Sequence, residues 1–132
     1  MSRDEGRQTD METLAEEFVY PEEALNFVQE ALGFTVDRIH GQDLKPGKNR
    51  HVSGRELCLG LRDYALARWG KLSRMVLRRW NINSTLDFGR IVFQLVARER
   101  LKTTEQDTLE DFRDVFDFHT AFETGYRIEH RT

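Results

Sequence analysis

Between positions 24 and 39 the residues Ala24, Leu25, Val28, Ala31, Leu32, Val36 and Ile39 recur at steps of three and four. That period lines up one face of an α-helix, so the spacing predicts a helix near residues 22–39 with a broad apolar stripe. Tyr20-Pro21-Glu22-Glu23 supplies its start, with Pro near the first helical position and carboxylates in the first turn. Gly33 weakens it locally.

The same reading extends along the chain. Upstream, Met11, Leu14 and Phe18 fall at helical spacing. Residues 40–52 hold Gly41, Pro46 and Gly47 with almost no apolar residue and read as a surface loop. Ser53-Gly54-Arg55-Glu56 fits a capping box ahead of Leu57, Cys58, Leu61, Tyr64, Ala65 and Trp69, and Gly70 sits where a helix end favours positive φ. A third helix is expected over residues 71–80, with Leu72, Met75, Val76 and Trp80 inward and Lys71, Arg74, Arg78 and Arg79 in solvent. Asn81-Ile82-Asn83-Ser84 is a turn in which Ser84 or Thr85 can cap the next helix. That helix carries Phe88, Ile91, Val92, Leu95 and Val96 on one stripe and ends near Arg100. Thr103-Thr104-Glu105-Gln106 offers a further cap before a short helix with Leu109, Phe112, Val115 and Phe116. Phe118 to Phe122 reads as a helical turn or a brief strand. The fold expected is mainly α, a compact single domain of four or five helices over residues 13–124. Residues 1–12 form a disordered polar tail and residues 125–132 a fraying end.

A chain of 132 residues can bury a core without disulfides or structural metal. Hydrophobic residues make up 39% of it, nine of them Phe, which is material enough to fill that core. Cys58 is the lone cysteine, which excludes an intramolecular disulfide and suits a reducing compartment, so the expected location is cytoplasmic. Neither a signal sequence nor a membrane span is read in the chain.

Charge is unevenly placed. Residues 1–44 hold 3 basic and 11 acidic residues, residues 45–102 hold 14 and 4, and residues 103–132 hold 3 and 8. The basic middle is either an anion-binding face or is neutralised by the acidic ends folded against it.

Motifs for chemistry are wanting. Residues 41–49 look like a phosphate loop, but five residues separate the glycines, Asn49 stands where a hydroxyl is needed, and the preceding segment reads as helix. Asp87-Phe88-Gly89 matches the kinase metal-binding tripeptide in a chain too short for that fold. A structural role fits better: Phe88 packs, Asp87 occupies a first helical turn and Gly89 permits close helix approach. His40, His51, His119 and His130 form no metal spacing, Cys58 reads as a small core residue, and Asp107, Glu110, Asp111, Asp114 and Asp117 lack the EF-hand pattern. Residues 71–100 could form a helix-turn-helix presenting Thr85, Arg90, Gln94 and Arg98, although Asp87 near its leading end would repel phosphate. An enzymatic reading would need distant groups such as His51, Glu56 and Asp87 to converge.

Several separated blocks occur together: His51-Val52-Ser53-Gly54-Arg55-Glu56-Leu57, Trp69-Gly70, Val76-Leu77 with Trp80, and Asp87-Phe88-Gly89-Arg90-Ile91-Val92-Phe93. Thr103, Thr104, Asp107, Asp111-Phe112, Asp117-Phe118 and Phe122 close the set. In these blocks the chain resembles a family of small bacterial proteins whose domain has no assigned function. It departs from that pattern at Asn81, where the family has Gly; Asn can take the same positive φ. The resemblance implies no activity, cofactor or catalytic residue.

The expected function is therefore a non-enzymatic protein-interaction or regulatory module with a protein partner and no cofactor or metal. The alternative is a nucleic-acid- or ribosome-associated protein using the basic segment 45–102. In either case the candidate contact residues are Lys71, Arg74, Arg78, Arg79, Arg90 and Arg98.

Overall fold

The computed structural model describes residues 19–41, 51–101 and 108–124. The tail at residues 1–12, the stripe of Met11, Leu14 and Phe18, the loop residues 42–50, the cap at Thr103 to Gln106 and the end at 125–132 lie outside those residues. Four α-helices form the described part: α1 (Glu22–His40), α2 (Gly54–Trp69), α3 (Ser73–Arg79) and α4 (Thr85–Ala97). A 3-10 turn, Gly70–Leu72, joins α2 to α3, and a second one, Leu109–Phe112, follows α4. The chain is mainly helical, and no strand occurs among the described residues. Phe118 to Phe122 accordingly takes the helical alternative, ending in a π-turn over Thr120–Thr124. The helix expected around Leu109 to Phe116 shortens to the 3-10 turn, capped by Thr108, whose backbone N–H donates to Asp111 at 2.8 Å.

α1 and α2 form the largest helix pair. The predicted stripe of α1 is buried through Ala24, Leu25, Val28 and Ala31, joined by Phe27 and Thr35. α2 answers with Leu57, Cys58, Leu61 and Ala65. The crossing is tight because Gly60 has no side chain: a Cβ there would lie 1.9 Å from Thr35 Oγ1, and that hydroxyl donates to the Ala31 carbonyl at 2.7 Å. Surface ion pairs Arg38–Asp63 and Arg68–Glu30 flank the same contact. At the end of the pair Phe27, Trp69 and Trp80 cluster, with ring centroids 4.8 to 5.7 Å apart. Both tryptophans thus lie beside the core, half-buried.

Start and stop signals behave as local chemistry dictates. Ser53 accepts from the Glu56 N–H at 3.1 Å while Glu56 accepts from the Ser53 N–H at 3.0 Å. Gly70 ends α2 at φ 52°, and Asn81 ends the α3 turn at φ 65°. Glu22, at the N-terminus of α1, pairs with Arg98 and Arg100 beyond the end of α4, each charge placed against a favourable helix dipole.

α3 differs from the expectation. Leu72 and Met75 are 55% and 57% exposed, while Ser73 and Leu77 are fully buried and Val76 and Trp80 half-buried. The Ser73 hydroxyl donates a shared bond to the carbonyls of Gly70 (2.8 Å) and Ala65 (3.0 Å). That buried anchor sets the rotation of the helix, turning Leu77 inward and Leu72 with Met75 outward.

The two α1–α2 glycines should respond oppositely to alanine. Gly33 is exposed with nothing within 4 Å of an added Cβ, so Gly33→Ala should stabilise by about 0.5–1 kcal/mol. Gly60→Ala must displace Thr35 and should destabilise by about 1–3 kcal/mol, the usual cost of overpacking. Urea unfolding midpoints measure both. Glu56 gives a pH signature: the Ser53 N–H bond, opposed by some burial, holds its carboxyl below the ordinary range. A folded-state value below the unfolded one contributes stability above about pH 4.3 that is lost as pH falls through the folded value. The stability gap between the wild type and Glu56→Gln should therefore shrink on going from neutral pH to below pH 4.3, by urea titration at each pH.

Candidate functional site

Asp87 is the most heavily used polar side chain of the interior. It is 6% exposed, and it accepts from the Tyr20 hydroxyl (2.6 Å), the N–H groups of Asn83 (2.7 Å) and Ser84 (3.2 Å), and Arg90 (2.9 Å). Burial, and then donation to this carboxylate, push the Tyr20 hydroxyl above its ordinary range. All its partners are internal, so Asp87 organises the turn and offers no lone pair to a ligand.

Around that turn sits a cleft of about 510 Å³. One wall is Arg74 and Arg78 of α3, the floor is Asn83 and Ser84, and the other wall is Phe116, Phe118 and the acidic residues Asp114, Asp117 and Glu123. Arg74 is half-buried with its guanidinium 5.4 Å over the Phe118 ring, and it donates to Asn83 Oδ1 at 3.1 Å and to the Ile82 carbonyl at 3.4 Å. Burial and then the adjacent Arg78 lower its affinity for a proton, with Glu123 acting the other way. His119 pairs with Glu123 on the far wall. The cleft therefore presents both signs of charge.

The opposite wall is held in place by backbone geometry. Phe112, 2% exposed, seats its ring against Gly54 and Gly89, where added Cβ atoms would come within 2.7 to 3.2 Å of the Phe112 side chain. Thr85 donates to the Phe112 carbonyl at 2.6 Å and accepts from the Val115 N–H at 3.1 Å. Gly89, expected to permit close helix approach, instead admits the ring of Phe112 from the 3-10 turn, while Phe88 is fully buried as expected.

Of the six candidate cations, the structure brings together four. Lys71, Arg78 and Arg79 are exposed on or beside α3, with Arg74 on the cleft side. Arg90 belongs to the Asp87 cluster, and Arg98 lies at the other end of α4 with Glu22 3.4 Å away. Three further cations of the basic block are paired, Arg62 with Asp63, Arg68 with Glu30, and Arg100 with Glu22. Internal pairing thus takes up part of the basic block among the described residues. Lys71, Arg78 and Arg79 make no ion pair with the described residues.

The helix-turn-helix presentation is corrected. Thr85 and Gln94, expected outward, are 1% and 6% exposed, and Arg90 is spent on Asp87, so α4 has no open reading face. Cys58 is fully buried, and burial pushes its thiol up to about 12, which suits a packed side chain. His51 and Glu56 flank the start of α2, where Glu56 is committed to the cap, while Asp87 is committed to Tyr20, Arg90 and its own turn. No grouping of His, Cys, Asp and Glu suited to a metal ion occurs among the described residues, and no helix there is long and apolar enough to cross a membrane. What sequence reasoning missed is the exposed pair Leu72 and Met75, set among Lys71, Arg78 and Arg79. The missed signal was Ser73 at helix position one, a small hydroxyl residue that tolerates burial against carbonyls.

Comparison with protein-family models, curated proteins and solved structures gives no match to this chain.

Removing the Tyr20 hydroxyl tests the central cluster. Tyr20→Phe keeps the ring but leaves Asp87 one donor short, and should cost about 1.5–3 kcal/mol, the range for a hydrogen bond to a charged group. Chemical denaturation reads it, and an unchanged midpoint would show that the Tyr20 contact adds nothing to the fold.

Proposed function

We propose that the protein is a binding module whose contact surface is the outward side of α3, and that its partner is a protein segment carrying both apolar and acidic side chains. The observation that carries this reading is the exposure of Leu72, which ends the 3-10 turn, and of Met75 in the seven-residue helix that follows it, with Lys71 of the turn and Arg78 and Arg79 of the helix exposed beside them. An apolar pair ringed by cations matches the layout of a small docking patch, in which burial supplies affinity and charge supplies orientation. Its complement is an apolar side chain flanked by carboxylates.

Nucleic acid is the weaker fit, for two physical reasons. Leu72 and Met75 have no phosphate to meet, and Asp114, Asp117 and Glu123 stand across the cleft from Arg74 and Arg78, where they would repel a phosphate backbone. α4, the element a helix-turn-helix would send into a groove, is occupied on the face concerned.

The two readings separate in one pair of experiments. A protein recovered with the wild-type chain from its native host should be lost with the Leu72→Asp, Met75→Asp double variant, whose substitutions are at exposed positions and should leave the unfolding midpoint within about 0.5 kcal/mol. Labelled DNA and RNA should show no binding by polarisation at about 50 mM salt. Nucleic-acid binding there that weakens steeply by about 200 mM salt and is abolished by Arg78→Glu with Arg79→Glu overturns the protein reading.

A further inference from the structure

We propose that the cleft between α3 and the Phe116 wall is a binding site for a zwitterion of the lysine type, a carboxylate and an alkylammonium joined by a short methylene stem. The site is separate from the α3 docking patch, although Arg78 borders both, and does not depend on that reading.

Its walls carry opposite charge, Arg74 and Arg78 facing Asp114, Asp117 and Glu123, yet no ion pair joins them. The protein's own bonds hold the charges apart. Arg74 is fixed by the Ile82 carbonyl, by Asn83 Oδ1 and by the Phe118 ring. Across from it, Asp117 Oδ2 accepts from the Thr120 N–H at 2.9 Å and hydroxyl at 3.1 Å, and Glu123 is tied to His119. Asp114 follows the 3-10 turn at φ 49°, a conformation Asp tolerates. The side chains of Arg78 and Asp114 form no ion pair with a described residue, so each wall keeps one charge for an incoming group. Charges already in place at the two walls need little reordering when a ligand arrives, which is the condition under which weak contacts yield binding.

Simpler ions fit worse. A phosphate would meet Arg74 and Arg78 but face three carboxylates, and an amine or a metal ion would meet the carboxylates but face two guanidinium groups. Only a solute with both charges gains on each wall. Its methylene stem replaces water on Phe116, which is half-buried and lines the cleft. The Asn83 amide, whose oxygen is taken by Arg74, has N–H groups left for the ligand carboxylate. At about 510 Å³ the space is that of a small-molecule site, for which about 300–1,000 Å³ is usual.

The probe is 6-aminohexanoate, titrated into the 132-residue chain and followed in amide proton–nitrogen spectra. Signals of residues 74–84 and 114–119 should move saturably, with a dissociation constant of about 1 mM. Hexanoate and hexylamine keep one charge each and should bind about tenfold more weakly, and Arg78→Gln or Asp114→Asn should each weaken the zwitterion by about the same factor, the loss that goes with a charge-assisted hydrogen bond. Both positions are exposed, so the variants should unfold at the wild-type midpoint. Two further probes distinguish the sources of this chemistry. Free lysine binding more tightly than a peptide that ends in lysine assigns a free amino acid. The peptide binding more tightly, and losing its affinity when its terminus is amidated, assigns the end of a polypeptide. The proposal is overturned by the absence of a saturable shift at about 10 mM 6-aminohexanoate, tenfold above the expected constant. It is equally overturned if hexanoate or hexylamine binds as tightly as the zwitterion, if the shifts map outside the cleft, or if neither variant weakens binding. None of these results bears on whether Leu72 and Met75 dock a partner.

Discussion

A carboxylate taken out of water is costly unless its oxygens are matched by donors, and Asp87 meets that requirement with groups from widely separated parts of the chain. Tyr20, 67 residues upstream, closes one oxygen together with Arg90, and the backbone of Asn83 and Ser84 closes the other. The cleft and its walls are arranged about this turn. Asn83, held by Asp87, positions Arg74 over Phe118. Thr85, two residues before Asp87, stitches residues 112 and 115 to the start of α4. Tyr20 fixes the point at which the upstream chain leaves the fold.

What was legible in the sequence was local, and for a physical reason. A capping box needs only residues three apart, so Ser53 with Glu56 could be read directly, as could the positive-φ positions Gly70 and Asn81. A helix of 19 residues repeats its stripe through five turns, enough for the period to declare which side of α1 is buried. α3 has seven residues and two turns, too few for the apolar pattern to choose between Leu72 with Met75 and Ser73 with Leu77. The choice came instead from the Ser73 hydroxyl finding the Ala65 and Gly70 carbonyls, a partnership between elements. The same limit hid the seat of Phe112 between Gly54 and Gly89, because a glycine in a sequence announces space without naming its occupant.

Charge was legible as a sum and illegible as a map. Fourteen basic residues in the middle of the chain suggested either an anion-binding face or compensation by the acidic ends, and composition could not divide them. The fold divides them by position. Glu22 and Glu30 of α1 take up Arg98, Arg100 and Arg68, and Asp63 and Asp87 take up Arg62 and Arg90. The cations left without an ion pair among the described residues include Lys71, Arg78 and Arg79, which gather on α3 and the 3-10 turn before it.

That residue of charge lies where it does because α3 is the element least able to bury itself. Only Ser73 and Leu77 are fully enclosed, so most of its surface is solvent-facing and its lateral position depends on the α2 carbonyls and the aromatic contacts of Trp80. A short helix so held contributes little to the core, and substitutions on its outer side are correspondingly inexpensive for folding. Binding that buries Leu72 and Met75 would draw about 1.5–3 kcal/mol from each if enclosed completely. This is a modest affinity before ordering costs, and charge on the rim is what must raise it above the competition of water. Arg74, half-buried over Phe118 between Arg78 and the acidic wall, stands in the neighbouring cleft, where one further contact would add to that affinity.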